Sequence, residues 1–398
     1  MDPARNTDTE SDLNEEKTDV YNNGVWVGKE GTYLSSDNYY QYSLLSDDEQ
    51  AIYNKIVSSI QTMQNIVDVS EMEISSDDSF VLVDKVLADN PQFFWVSRHT
   101  SIQRNSDSGN AVFIVLRYTD GKATDVLNDD FTLISMADRN LINSKIDSFN
   151  SKIKEIVSHI SSNALDVEKE KIIHDYIISN TNYDYSALNG SDKDVNPHAR
   201  DIYGAIVEGK AVCEGYAKAF QYLCYCVGIN ATQVCGTSDG ENHMWDAVKI
   251  DNEWYQIDLT WDDDDMSGAG VVYYGYFNLS DDEMGKDHIP NADRVSVPVC
   301  NGEKYEYADY YALNVTGNGK KSTNHQFVAQ NLIQENGHYL IVSTKNITVT
   351  NELLGNIIYD RKSAINSCAK KLGVTFDFEY TYIILGDFIY IPLNIQKQ

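Results

Sequence analysis

Residues 211–220 read AVCEGYAKAF, and they begin the stretch on which the fold depends. A Glu-Gly-Lys turn at 208–210 precedes them, and apolar residues then recur at 216, 220, 223 and 227, before Gly228. This spacing is typical of one face of a helix. The pattern predicts a helix with Cys213 in its first turn. Unpaired backbone N–H groups and the positive end of the helix dipole favour a thiolate at such a position.

Two β-rich runs follow this helix. They read HMWDAVKI at 243–250 and EWYQIDLT at 253–260, and the two residues Asp-Asn at 251–252 separate them. A two-residue link of this kind predicts a β-hairpin. In such a hairpin Ile250 faces Glu253, which sets the register for every other pair.

The register brings together four side chains. His243 is expected to face Thr260, and Trp245 to face Asp258. Opposed residues share a sheet face, so all four point the same way, and Asp258 is the diagonal neighbour of His243. An odd-length loop would place the two on opposite faces. The spacing therefore predicts a His–Asp pair without assuming any function.

Further motifs accompany these residues. They are IHDY at 173–176, YGA at 203–205, VCEGYA at 212–217, NHMWD at 242–246, WYQIDLTW at 254–261 and YFNLS at 276–280. Their order, from roughly Glu168 to Pro290, resembles the transglutaminase-like superfamily. The resemblance implies an α+β fold with a papain-like core, in which the helix that bears the cysteine packs on an antiparallel sheet. It also implies a Cys-His-Asp triad at Cys213, His243 and Asp258.

The triad would make the chain a thiol-dependent acyl-transfer enzyme that works through a thioester. Hydrolysis of peptide or amide bonds is the leading expectation, and glutamine cross-linking by a transglutaminase reaction is the second. A third alternative is a non-catalytic module that binds peptides or cell-wall polymer and keeps a vestigial triad. The structural alternative is that Cys213 is a core thiol and that His243 and Asp258 only stabilise the sheet.

Carboxylates around the predicted site favour hydrolysis, because they would keep the approach wet. They are Glu214, Asp239, Glu241, Asp246 and Asp262 to Asp265. The last four are expected to form a solvated acidic loop, since they lack the spacing of a calcium site. Tyr183 and Tyr185 are candidates for a second oxyanion donor. His174 is expected to be structural, and His288, in a loop before Pro290, is a poor catalytic candidate.

Charge and composition restrict the partners. The chain has 61 acidic and 31 basic residues, a formal net charge of −30. Such a field repels nucleic acid and anionic membrane surfaces. The resemblance implies a protein or peptide substrate. There is no apolar run of about 18 residues, so we expect no membrane-spanning segment. The six cysteines include no Cys-x-x-Cys pair, so a structural zinc site is not expected. We expect no cofactor and no metal. The oligomeric state is left open.

Local patterns predict further elements. They are a capping box at 46–49, strands at 93–96, at 111–118 (closed by a turn at 120–121) and at 273–277, and a hairpin around Gly386.

The chain is expected to contain several units. These are a polar, partly disordered segment at 1–44, a small α+β domain at 45–130, the transglutaminase-like catalytic domain at 131–299 and an α+β module at 300–398. The first 20 residues are polar and acidic, like the tether of an exported protein. We therefore expect an extracellular or cell-surface location after removal of a signal, with a native cytosolic start as the alternative.

Overall fold

The computed structural model describes residues 18–22, 24–30, 32–97, 100–118, 136–189, 196–263, 271–315, 317–319, 322–335, 337–378 and 381–397. Within these ranges the α-helices are α1 Tyr40–Ser43, α2 Asp47–Gln61, α3 Ser76–Asp89, α4 Met136–Ser158, α5 Asp166–Asn180, α6 Ser186–Asn189, α7 Cys213–Cys226, α8 Leu259–Asp262, α9 Asp281–Met284, α10 Tyr307–Tyr310, α11 His325–Gln334 and α12 Asn351–Lys371.

The strands lie between and after these helices. They are β1 Asp19–Asn22, β2 Val25–Lys29, β3 Ile66–Asp68, β4 Ser101–Arg104, β5 Ala111–Val115, β6 Asn182–Tyr183, β7 Lys210–Ala211, β8 Asn230–Ser238, β9 Glu241–Ile250, β10 Glu253–Ile257, β11 His288–Pro290, β12 Leu313–Asn314, β13 Tyr339–Ser343, β14 Val374–Phe378, β15 Ile383–Leu385 and β16 Phe388–Lys397. The mixture of helices and mostly antiparallel sheets confirms the predicted α+β class.

Helix α7 is the centre of the molecule. Apart from Lys218, its side chains are buried all round, which is typical of a helix enclosed in a core rather than lying on a surface. It packs on β8 and β9 and also contacts α5. The helix ends before Gly228, whose φ of +86° is the left-handed conformation that favours glycine after a helix.

The sheet beside α7 has the strand order β10-β9-β8-β11. The predicted hairpin register is confirmed, since Glu253 pairs with Ile250. The expected pairings of Asp258 with Trp245 and of Thr260 with His243 are wrong, because β10 ends at Ile257 and the chain then turns into α8. The sequence pattern also missed β8, which pairs with β9 along its whole length.

The residues before α4 contribute a sheet of order β3-β5-β4. Helix α2 begins with the predicted capping box, in which the Ser46 backbone N–H donates to Glu49 at 2.9 Å. The predicted strand at 93–96 is wrong. Phe94 and Trp95 are buried in turns, and Val96 alone forms a bridge, to Tyr118. Aromatic residues that are buried in succession have no strand alternation. The predicted stop at 120–121 lies outside the described residues.

A predicted strand at 273–277 is also wrong. This segment bonds to the turn around α8 instead of to a sheet: the Tyr276 carbonyl accepts from the Asp258 N–H at 3.1 Å, and the Tyr276 N–H donates to Asp262 at 2.9 Å. In the C-terminal part, the hairpin predicted at Gly386 is confirmed, since Leu385 pairs with Phe388. None of the helices in the described ranges has the length and apolar composition needed to cross a membrane.

Gly236 allows a close approach of β11 to β8. A Cβ atom added there would lie 2.2 Å from the Ile289 carbonyl oxygen and 2.7 Å from the Trp245 ring. We expect Gly236→Ala to lower the free energy of unfolding by about 1–3 kcal/mol, the usual effect of overpacking. Urea denaturation measures it.

Gly355, in α12, is the matched control, because a Cβ atom added there meets nothing within 4 Å. Gly355→Ala should leave stability unchanged or raise it by about 0.5–1 kcal/mol. Equal stability of the two variants would contradict the close packing of β11 on β8.

Candidate active site

Cys213 is the first residue of α7. The residue before it, Val212, has extended backbone with φ −96° and ψ 178°, and its N–H donates to the Ala199 carbonyl at 2.8 Å. The chain therefore changes from extended to helical at the cysteine. The Cys213 side chain is 9% exposed, at the edge of the core. Its thiol lies at the end of the helix where N–H groups have no partner within the helix.

Asp258 lies where β10 ends and α8 begins. Its Oδ1 atom accepts from the backbone N–H groups of Thr260 at 2.8 Å and Trp261 at 3.3 Å, so it caps the short helix. This capping requires the strand to stop at Ile257, and it fixes the orientation of the carboxylate. The other oxygen, Oδ2, is left to face the imidazole of His243.

His243 lies on β9, and its Nε2 atom is 2.6 Å from Asp258 Oδ2. The thiol of Cys213 also hydrogen bonds to His243, which leaves Nδ1 as the ring nitrogen that faces it. The structure thus brings together the three residues predicted from the sequence. It places Asp258 and Cys213 on opposite nitrogens of one imidazole.

Electrostatics favour the charged forms of this pair. Burial lowers the pKa of His243, but the charge and hydrogen bond of Asp258, together with Cys213, outweigh it and raise the pKa to about 10. Burial opposes ionisation of Asp258 too, yet the neighbouring imidazoles hold its pKa well below the ordinary value. At neutral pH the site therefore contains an imidazolium against a carboxylate.

His288 is part of the same cluster, contrary to the expectation from sequence. It begins strand β11, where it pairs with Ser238, instead of lying in a loop. Its Nε2 atom lies 3.0 Å from Asp258 Oδ2, and its Nδ1 atom lies 2.5 Å from Asp287 Oδ1. A three-residue strand that contains a proline gives too short a pattern to be recognised from sequence.

The ligand atoms of His243, Asp258 and His288 lie within 4.8 Å of one another, which is close enough for a metal site. Both Nε2 atoms, however, already hydrogen bond to the same carboxylate oxygen. An ion would have to displace both of these bonds. We therefore describe the three residues as a hydrogen-bonded cluster.

Tyr183 approaches the cysteine from β6. This strand pairs in parallel with β7, and Tyr183 lies opposite Ala211. Burial raises the pKa of Tyr183 to about 12, although a hydrogen bond from the Cys213 backbone N–H to the hydroxyl lowers it. Tyr185, the other tyrosine considered from sequence, packs against Tyr183 with ring centroids 4.9 Å apart and is 48% exposed.

A second buried histidine, His174, hydrogen bonds to the last residue of α8. His174 has no exposed surface, its Nδ1 lies 3.0 Å from Asp175, and its Nε2 lies 3.1 Å from Asp262. The expectation of a solvated loop at 262–265 is therefore wrong for Asp262, which is fully buried, and residues 264–265 lie outside the described ranges. Burial lowers the pKa of His174, but the two carboxylates outweigh it and raise the pKa to about 9.

The surroundings of the site match the expectation only in part. Of the carboxylates predicted to keep it wet, Glu214 and Asp246 are buried, and Glu214 is paired with Lys218 at 2.9 Å. Asp239 and Glu241 are exposed, as expected. Aromatic rings lie around His243: the centroid of Trp245 is 5.9 Å away and that of Trp261 is 6.3 Å away.

A cleft of about 1900 Å³ begins at His243 and runs between the sheet and α3. Its walls carry apolar side chains, including Leu87, Phe93 and Met244. Some charged lining residues are paired: Glu214 lies 2.9 Å from Lys218, and Arg294 contacts Asp84 at 2.7 Å across the cleft. The volume is ample for several residues of an extended peptide.

Comparison with known proteins agrees with the sequence motifs. Residues 152–259 match the model of the transglutaminase-like superfamily, and this segment contains Cys213, His243 and Asp258. The predicted resemblance is thereby confirmed for this part of the chain.

Relatives and solved structures resemble parts of this chain. The kyphoscoliosis peptidases of Mus musculus and Homo sapiens are 27% and 28% identical to it over 135 residues, which cover 31% of this chain and 19% of each relative. A solved structure described as that of a TGase is 18% identical, with a TM-score of 0.26, and the match covers 48% of each chain. A TM-score of this size does not define a common overall fold.

We expect Cys213 to be the cysteine most readily alkylated in acid. Burial raises the pKa of the Cys224, Cys226 and Cys300 thiols, whereas Cys213 has an imidazolium partner. Iodoacetamide labelling at about pH 6, followed by peptide mass spectrometry, measures the order.

The His243→Gln variant is the control for this labelling, because it removes the imidazolium and should slow alkylation of Cys213. The half-buried Cys235 serves as an internal reference for access. Preferential labelling of Cys224, Cys226 or Cys368 would contradict the prediction.

The His174 network predicts a pH-dependent stability. Its pKa is raised from 6.5 to about 9, so its contribution is complete below about pH 6.5 and is lost as the pH rises through 9. We expect His174→Gln to lower the free energy of unfolding by about 3–5 kcal/mol near pH 6.5, because the buried carboxylate of Asp262 loses the imidazolium it is paired with, while Asp175 keeps its ion pair with Lys171. Urea denaturation from pH 6 to 10 should show the difference from wild type shrinking. A constant difference would mean that His174 is neutral.

Proposed function

We propose that this chain is a thiol-dependent acyl-transfer enzyme that hydrolyses peptide or amide bonds. The observation that carries the proposal is the contact of His243 with Cys213 on one side and with Asp258, at 2.6 Å, on the other. A nucleophile, a base and a group that orients the base are the parts that such a reaction requires. The match of residues 152–259 to the transglutaminase-like superfamily supports the same class of reaction.

Cys213 would act as a thiolate paired with the His243 imidazolium. Its sulfur attacks the carbonyl carbon of the substrate, and negative charge develops on the carbonyl oxygen. Two donors lie close enough together to bind that oxyanion: the Cys213 backbone N–H and the Tyr183 hydroxyl, which hydrogen bond to each other in the free protein. Charge at this point is also favoured by the N-terminus of α7.

His243 would then give its proton to the leaving amine, so that the C–N bond breaks and a thioester remains. In the second half of the reaction, His243 takes a proton from water, which attacks the thioester and releases the acid and the thiolate. Asp258 keeps Nε2 protonated throughout, and its own position is fixed by the two backbone N–H groups that it caps.

The substrate class follows from the cleft and the charge. A cleft of about 1900 Å³ with apolar walls favours an extended peptide or protein segment. The net charge of −30 disfavours nucleic acid. The same proposal includes a papain-like core, domain boundaries at residues 45, 131 and 300, and a location outside the cell.

Cross-linking is a second candidate, favoured by one observation. The rings of Trp245 and Trp261 lie beside His243, and buried carboxylates do not hydrate the site as expected. A transferase must exclude water so that an amine can attack the thioester, and aromatic walls serve that purpose. The matched relatives are named peptidases, which supports hydrolysis as the first choice.

The deciding assay uses glutamine-containing casein with a fluorescent primary amine. We expect release of ammonia or of new N-termini to exceed amine incorporation. Cys213→Ala should lower both by at least about 1,000-fold, because the nucleophile is lost.

Cys224→Ala is the matched control, since it removes a buried thiol of the same helix away from its N-terminus. It should retain activity. Faster amine incorporation would make the chain a cross-linking enzyme. Turnover of wild type no higher than that of Cys213→Ala would favour the binding module with a vestigial triad.

A further inference from the structure

One oxygen atom of the Asp258 carboxylate hydrogen bonds to two imidazoles. Oδ2 lies 2.6 Å from His243 Nε2 and 3.0 Å from His288 Nε2. The second imidazole is fully buried and belongs to β11, the edge strand of the sheet. A triad needs one imidazole at its carboxylate, so the second requires its own explanation.

His288 lies between two carboxylates. Its Nδ1 atom is 2.5 Å from Asp287, and its Nε2 atom faces Asp258. An ionised carboxylate can only accept hydrogen bonds, so both ring nitrogens must donate. Donation from both nitrogens makes His288 an imidazolium. Asp287 is itself held in place, because it accepts a hydrogen bond from the Tyr276 hydroxyl at 2.9 Å.

This second cation lies beside the base of the site. The ring centroids of His288 and His243 are 5.5 Å apart. A positive charge at this distance opposes protonation of His243, while Asp258 favours it. Sharing the carboxylate also leaves less of its charge for His243. Without His288, the imidazolium of His243 would hold its proton more tightly than a general acid and base requires.

Within the described residues other titratable groups face the cluster, and none of them replaces His288 as a buried cation bonded to Asp258. Asp246 on β9 and Asp262 on α8 are buried acids within electrostatic reach of Asp258, and burial raises the pKa of both. These acids and the tyrosines that face the cluster bring no positive charge. The remaining groups are Cys213, Tyr183, Tyr276 and Asp287.

We propose that His288 is a positioning residue, whose imidazolium fixes the Asp258 carboxylate and keeps the basicity of His243 within the range in which it can exchange protons. The proposal rests on the proposed function for its purpose, but the effect on His243 is measurable without any substrate.

The test is the pH profile of Cys213 alkylation in the full-length chain. The rate of reaction with iodoacetamide, followed at Cys213 by peptide mass spectrometry, changes when the paired imidazolium loses its proton. In His288→Gln the side-chain amide keeps a neutral donor towards Asp258 but removes the charge. We expect the pH at which the alkylation rate changes on the alkaline side to rise by about one unit, because loss of a nearby cation raises the pKa of His243.

A transition that stays in place, or that moves to lower pH, in folded His288→Gln would overturn the proposal and leave His288 a structural residue. If His288→Gln does not fold, the same pH profile of Cys213 alkylation is measured on Asp287→Asn. Asp287 is 30% exposed, so its substitution is tolerated more easily, and an amide there lets His288 become neutral. We expect the alkylation transition of Asp287→Asn to move to higher pH as well, by less than in His288→Gln. No shift in this variant would likewise overturn the proposal.

His198→Gln is the matched control. His198 is also buried, but it bonds Asp201 at 2.7 Å and Lys145 at 2.7 Å instead of the Asp258 cluster. Its loss should leave the transition unmoved. If the chain neither hydrolyses nor cross-links casein while the transition shifts as expected, the proposed function fails and the role of His288 stands.

Discussion

The structure depends on one buried carboxylate. Asp258 has no exposed surface, and its two oxygens accept from two backbone N–H groups of α8 and from the imidazoles of His243 and His288. A buried charge without such partners would be expelled or neutralised. Four elements must therefore meet at this point: strand β9, the end of β10, the start of α8 and the edge strand β11. The position of His243 relative to Cys213 is a consequence of that meeting.

A second buried ion cluster holds the same helix from its other end. His174 bonds Asp262, whose N–H in turn bonds the carbonyl of Asp258 at 3.1 Å. A helix of four residues has little stability of its own, since it bears the full cost of nucleating the first turn and gains little from propagation. Buried ion pairs often add little net stability, but they penalise every alternative geometry. The two clusters thus convert a short turn into a rigid support for the carboxylate.

Local patterns in the sequence predicted the parts of the site that depend on neighbouring residues. Helical spacing after Cys213 and the two-residue link at 251–252 were enough to place the cysteine at a helix start and to set the hairpin register. The role of His288 was missed, because the pairing of a three-residue strand with β8 joins segments that are distant in sequence. The strand predicted at 273–277 failed for a related reason. The backbone of this segment hydrogen bonds to α8, and such bonds leave no periodic pattern in the sequence.

Whether water or an amine resolves a thioester here depends on which of two features of the site dominates. Rings beside His243 shield this side of the site from solvent, and burial keeps Asp246 and Asp262 out of contact with water. The wide cleft lined by His243 would have the opposite effect, because departure of the first product would open the site to solvent. An amine gains only if it binds before water enters. Transfer requires the amine to occupy this cleft, in which Glu214 is paired with Lys218 and Asp84 with Arg294. Because these two acids are already paired, a lysine side chain gains less attraction from them, which supports our proposal that water resolves the thioester.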